Sequence, residues 1–133
     1  MKSKFEKITL SLLAFTLFIF STLIIVPIEV YASDSVEAVL IKKVSKSFTK
    51  KFCNSIGFGL SKESAMNFSL AENNKVFNKK KDFNNINKEL LAGEIAIQVI
   101  ENCGYPINLS GENGILEFQN YYLTKDQESS RKK

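Results

Sequence analysis

The chain has 133 residues, a formal net charge of +4, no histidine, no tryptophan and two cysteines. That inventory excludes Ser-His-Asp and Cys-His nucleophiles, histidine metal ligands and Cys-x-x-Cys-His haem attachment, and two cysteines alone cannot build a structural zinc site. No cofactor is implied, and the expectation is a protein that is not an enzyme.

The first element is Ile8 to Val26, 19 residues without a charge, preceded by Lys2, Lys4 and Lys7 and followed by Pro27 and Val30-Tyr31-Ala32. A basic start, an apolar helix and small residues at a cut site are the three parts of an export signal. Val30 and Ala32 fit the two pockets before a cut between Ala32 and Ser33, and Pro27 ends the apolar helix so that the site can be presented extended. Length points the other way. A signal core runs about 7 to 15 residues, whereas a span needs about 20. Residues 1–32 are therefore read as a cleaved signal peptide or an uncleaved membrane anchor. Both fates leave the N-terminus in the cytoplasm and export the rest to a periplasm, a thylakoid lumen or the exterior.

Removing Lys2, Lys4, Lys7, Glu6 and Glu29 from the 18 basic and 14 acidic residues leaves 15 and 12, a net +3 on the remainder. Residues 33–123 then form one small helical domain. Its first helix carries Val36, Leu40, Val44, Phe48, Phe52 and Ile56 every four residues, broadened by Val39 and Ile41. Ser33, Asp34 or Ser35 can cap its start, and Gly57 and Gly59 can close it. Lys42, Lys43, Lys46, Lys50 and Lys51 recur on it at helical spacing. A solvated helix face outweighs an anionic-partner site for this set, because burying one face requires a charged opposite one. No nucleic-acid stripe with interleaved aromatics appears.

Ser61 caps a second helix with Glu63 in its first turn, and Ala65, Met66, Phe68, Val76 and Phe77 supply its apolar surface to about Asn78. Lys79, Lys80 and Lys81 mark an exposed loop. Asn87 caps a third helix whose rows are Leu91, Ile95, Val99 and Ala92, Ala96, Ile100. Cys103 ends it, with Gly104 where a left-handed residue would close it and Pro106 to prevent continuation. After a loop at 107–114, a short fourth helix from about Glu112 to Leu123 presents Ile115, Phe118 and Tyr122. Residues 124–133, polar and without an apolar anchor, are expected to be a disordered tail. No segment alternates strictly enough for a strand. The fold class is all-α, a bundle of about four helices after the N-terminal signal or anchor helix.

Cys53 and Cys103, 50 positions apart, invite a disulfide in an exported chain. The bond would close a loop worth roughly 4 kcal/mol at 25 °C by chain entropy. Buried free thiols are the main competitor, and a redox pair would want Cys-x-x-Cys. Glu94 and Glu101 share a helix face but read as solvated surface. Phe48, Phe52, Phe58, Phe68 and Phe77 read as core.

Phe52-Cys53-Asn54-Ser55-Ile56-Gly57-Phe58-Gly59, the Ser61 helix, Cys103-Gly104-Tyr105-Pro106 and Ser110-Gly111-Glu112 resemble small exported proteins of cyanobacteria and plastids. The resemblance covers Phe48 to about Tyr121. It implies the thylakoid lumen or periplasm, places the two cysteines at the positions the family pattern marks, and transfers no catalytic residue.

Two functions remain open. One is a non-catalytic accessory domain docking on a protein partner at a membrane complex, such as a photosynthetic one, with membrane contact only through the N-terminal segment. The other is a soluble binding module holding a small apolar ligand among the phenylalanines. An exposed apolar patch would favour the first and a closed interior cavity the second.

Overall fold

A computed structural model describes residues 31–131. Residues 1–30, which make up most of the segment 1–32 read above as a signal peptide or membrane anchor, the side chains of residues 31–35, and Lys132 and Lys133 lie outside the described residues. By its contacts the chain divides into two units, Met1–Ser33 and Asp34–Lys133. The helical bundle is the second unit.

Among the described residues there are four α-helices and no strand: α1 (Tyr31–Gly57), α2 (Lys62–Phe77), α3 (Lys88–Cys103) and α4 (Gly111–Arg131). Short 3-10 turns at Phe83–Asn85 and Tyr105–Ile107 flank α3. No helix among these residues is long and apolar enough to cross a membrane.

Two of the N-caps expected from the sequence hold, those of α2 and α3. Ser61 accepts the backbone N–H of Ser64 at 3.2 Å, and Asn87 accepts those of Glu89 and Leu90 at 3.0 and 3.1 Å. Each satisfies donors that a helix start leaves without an internal partner.

At the end of α1, Gly59 has a φ of 86°, Leu60 N–H donates to Ser55 O at 3.1 Å and Gly59 N–H to Ile56 O at 2.9 Å. This pair of bonds around a left-handed residue is a Schellman closure. The end of α3 corrects one expectation. Gly104 is right-handed, at φ −65°, and the left-handed residue is Asn108 at φ 57°. Leu109 N–H reaches back to Gly104 O at 2.9 Å and Asn108 N–H to Tyr105 O at 3.1 Å, repeating the closure four residues later. Gly104 is needed for space instead: a Cβ there would meet Leu109 O at 2.5 Å and Ile100 O at 2.6 Å.

Two other boundaries differ from expectation. α1 already runs through Ser33 to Ser35, so these positions lie inside the helix and not at its N-cap. The polar tail expected after Leu123 is helix to Arg131. Anchors for it exist, and they are polar: Asp126 is buried and its Oδ2 pairs with Lys88 Nζ at 3.2 Å, while Lys125 Nζ bridges Glu63 and Glu128 at 3.3 and 3.0 Å.

α1 and α3 run parallel. Glu37 Oε1 accepts Asn87 N–H at 2.7 Å, and the disulfide joins Cys53 to Cys103, so both contacts carry the same offset of 50 residues. Their separation along each helix corresponds to about 24 Å of rise. α3 packs most extensively on α4, and α2 also touches α4. The core between them includes Val44, Phe48 and Phe52 from α1, Ala65 and Met66 from α2, Leu91, Ile95 and Val99 from α3, and Phe118 and Tyr122 from α4. Phe48 meets Tyr122 edge-on with centroids 5.2 Å apart, Phe52 meets Phe118 edge-on at 5.1 Å, and Phe48 stacks on Phe52 at 5.9 Å. These are the favoured aromatic geometries, which add to the area each ring buries.

Candidate functional site

The two cysteines meet. Cys53 and Cys103 form a disulfide with their Cα atoms 5.6 Å apart, pinning the C-terminal ends of α1 and α3 together. An oxidising compartment is where such a bond persists. The other expected site, the Ala32–Ser33 bond, has its backbone in the first turn of α1, and its side chains lie outside the described residues, as does Val30.

The phenylalanine set does not behave as one core. Phe48 and Phe52 are fully buried and Phe77 nearly so, but Phe58 is 84% exposed and Phe68 48%. Helix geometry explains both departures. In α2 the buried row runs Ala65, Ser69, Asn73, Phe77 at intervals of four, with Met66 and Leu70 beside it, so Phe68 and Val76 fall outside it although they are apolar. Val36 and Val39 at the start of α1 are exposed too. Phe58 sits in the Schellman closure, where the chain leaves the helix and its ring leaves the core.

The result is an apolar socket at one end of the bundle. Phe58, Leu60 and Phe68 line an open hollow of about 430 Å³ with Lys51, Asn54 and Ser55. Lys51 is the charged group in its wall. Its Nζ donates to Ser47 Oγ at 2.6 Å and to Asn73 Oδ1 at 3.3 Å, leaving the third ammonium proton uncommitted. Desolvation by burial lowers its pKa from the usual lysine range, partly offset by the nearby Glu72 carboxylate, while Lys50 pushes the same way as burial. Asn73 in turn is buried and donates to Val44 O at 3.1 Å, so the lysine is held by a side chain that is itself fixed to α1.

A second hollow, of about 550 Å³, lies between α1 and α3 and shares Asn54 with the socket. Lys42, Lys46 and Lys50 line one side, and Gln98 and Asn102 the other. The remaining singled-out residues do not converge. Glu94 accepts a bond from Gln98 Nε2 at 2.7 Å, and Glu101 is exposed. Lys79, Lys80 and Lys81 lie exposed between α2 and the 3-10 turn at Phe83, with Lys80 Nζ 5.1 Å from the centre of the Phe77 ring. Sequence reasoning missed the socket because it assigned Phe58 and Phe68 to the core by residue type. The available signal was Phe58 standing between Gly57 and Gly59, in a turn that cannot bury it.

The chain matches no protein-family model, no curated protein and no solved structure.

Proposed function

We propose that this protein is an exported, non-catalytic helical domain that docks on a protein partner in a membrane-associated assembly, using the socket formed by Phe58, Leu60 and Phe68. The observation that carries the reading is the exposure of two phenylalanines and a leucine side by side around an open hollow. Large apolar side chains grouped on a surface mark interaction sites, because leaving them in water costs free energy that a partner recovers. The competing idea, a small apolar ligand among the phenylalanines, is disfavoured by the tight mutual packing of Phe48, Phe52 and Phe118.

The resemblance to lumenal and periplasmic proteins, the leader and the disulfide together support an extracytoplasmic location at a membrane, with the leader either cut after Ala32 or retained as an anchor.

The test is site-specific photo-crosslinking in native membranes from a benzophenone at position 58 and, separately, at position 68. The expected outcome is one and the same crosslinked protein from both positions, absent when the benzophenone is at Ile97 on the outer side of α3. Crosslinks to lipid alone, or to a different set of proteins from each position, would overturn the docking reading. Mass spectrometry of the same material reads the mature N-terminus and decides the fate of the leader.

A further inference from the structure

The lysine row beside the socket gives the partner a chemistry. On α1, Lys42, Lys46 and Lys50 follow one another at intervals of four and are exposed along the hollow that shares Asn54 with the socket. None of the side chains lining either hollow is acidic. The ion pairs among the described residues use Lys62, Lys75, Lys88 and Lys125, and none uses a lysine of α1. Lys42, Lys46 and Lys50 therefore stand without an ion-pair partner among the described residues, as do the exposed Lys79, Lys80 and Lys81, but only the α1 row lies beside the apolar socket. Opposite the row stand the neutral amides Gln98 and Asn102, with Glu94 beside them bonded to Gln98. Lys51, in the socket wall, adds a fourth ammonium at the junction.

Resting on the docking reading, we infer that the partner contributes an acidic, extended segment with an apolar residue at one end: the apolar side chain enters the Phe58–Leu60–Phe68 socket, and alternate carboxylates lie against Lys50, Lys46 and Lys42. The spacing fits. Four residues of helix rise about 6 Å, and two residues of extended chain about 6.6 Å. Over the whole row the mismatch is about 1 Å, within the reach of flexible lysine stems. A charged row of this kind sets the register and speeds encounter more than it tightens binding, and the buried anchor supplies affinity. The socket and the basic row, which meet at Asn54, thus read an arrangement on the partner segment: acids leading up to an apolar residue at its end.

The experiment uses the full chain in nanodiscs of phosphatidylcholine and, as probe, a fluorescein-labelled peptide of alternating glutamate and serine ending in Phe-Leu. Binding is followed by anisotropy at low and high salt. The inference expects saturable binding, at least tenfold weaker for the peptide with glutamine in place of glutamate, and an equal loss for the Lys42→Gln/Lys46→Gln/Lys50→Gln variant. Those lysines are exposed, so the variant's melting temperature should match the parent's and its loss of binding is not a folding defect. Phe68→Ser should also weaken binding while leaving the salt dependence in place. Equal affinity for the glutamine peptide would overturn the acidic partner and leave docking through the socket standing. Failure of both peptides up to millimolar concentration, with the crosslinked partner still captured at positions 58 and 68, would do the same. If vesicles with anionic lipid bind in a manner governed by the lysine row while the peptide does not, the row faces a membrane and the inference falls.

Discussion

Phe52 and Phe58 stand six residues apart, at and just beyond the end of α1, and have opposite fates: the first is fully buried against Phe118, and the second is 84% exposed on the rim of the socket. The same contrast separates the two groups of aromatics. The interior group, Phe48, Phe52, Phe118 and Tyr122, is drawn from α1 and α4 and packs edge to face. The rim group, Phe58 and Phe68, flanks the α1–α2 turn and faces a hollow. Side-chain chemistry is identical, so the difference lies in the backbone: one set rides a helical row toward the neighbouring helices, and the other sits on a closing turn or off the buried row. The interior group should therefore govern stability and the rim group binding.

The largest expected effect breaks the comparison at those two residues. Phe52→Ala should cost about 3–5 kcal/mol, since it removes a ring that the surrounding helices cannot collapse to replace. Phe58→Ala should stay within about 0.5 kcal/mol, as exposed substitutions do. Chemical denaturation of both variants is the check, and a comparable loss for the two would mean that the rim is part of the core. Next in size is the staple between the two groups. Cys53→Ser should lower stability by at most about 4 kcal/mol in oxidising buffer, the loop-closure figure for a bond spanning 50 positions, and do little under reducing conditions. Equal losses in both buffers would show that packing of the Cys53 side chain, and not the bond, is responsible.

How much of this was legible in the sequence depends on whether polarity and period agreed. In α3 they did: Leu91, Ile95 and Val99 are apolar, spaced by four and buried, and the Asn87 cap and the Cys103 end were readable for the same reason. In α2 they disagreed. Choosing by polarity put Phe68 and Val76 inside, whereas the helix buries Ser69 and Asn73, which share the row with Ala65 and Phe77. The extension of α4 past Leu123 was hidden because its anchors, Asp126 with Lys88 and Lys125 with Glu63, are charge pairs reaching 38 and 62 residues back along the chain. A tail without apolar residues looks disordered until those partners are in place. The left-handed Asn108 was masked by Gly104, a residue chosen for close approach and not for its φ. The socket suffered from the same rule as α2, because phenylalanine was counted as core wherever it stood.

Asn73 offers a sharper version of the comparison, since it is a buried polar group that links interior to rim. It donates to Val44 O and accepts from Lys51, the cation in the socket wall. Asn73→Ala should cost about 1–3 kcal/mol, mostly because the carbonyl and the ammonium lose their partner. It should also loosen Lys51, so binding of the acidic peptide should weaken together with stability. Asn73→Asp tests the linkage from the other side: it loses the donor to Val44 O as alanine does, but its carboxylate beside Lys51 would neutralise the socket's cation, so peptide binding should weaken further than in Asn73→Ala.

The smallest effect is confined to alkaline pH and to the interior group. Burial, reinforced by the adjacent Asp126 carboxylate, raises the Tyr122 phenol far above its usual value near 10. The neutral phenol is thus kept in the fold after the unfolded chain has released its proton. Above about pH 10 the unfolded state binds fewer protons than the native one, so stability must fall as pH rises, by up to about 1.4 kcal/mol per pH unit. Below that pH both states hold the proton and Tyr122 contributes no slope. Half-buried Tyr121, raised mainly by desolvation, adds a smaller contribution of the same sign. Tyr122→Phe should therefore remove most of the alkaline loss while keeping the ring against Phe48, and urea titrations between pH 9 and 11 would read it. An unchanged slope in that variant would mean that water reaches the phenol, and that the interior group is less sealed from the rim than its packing implies.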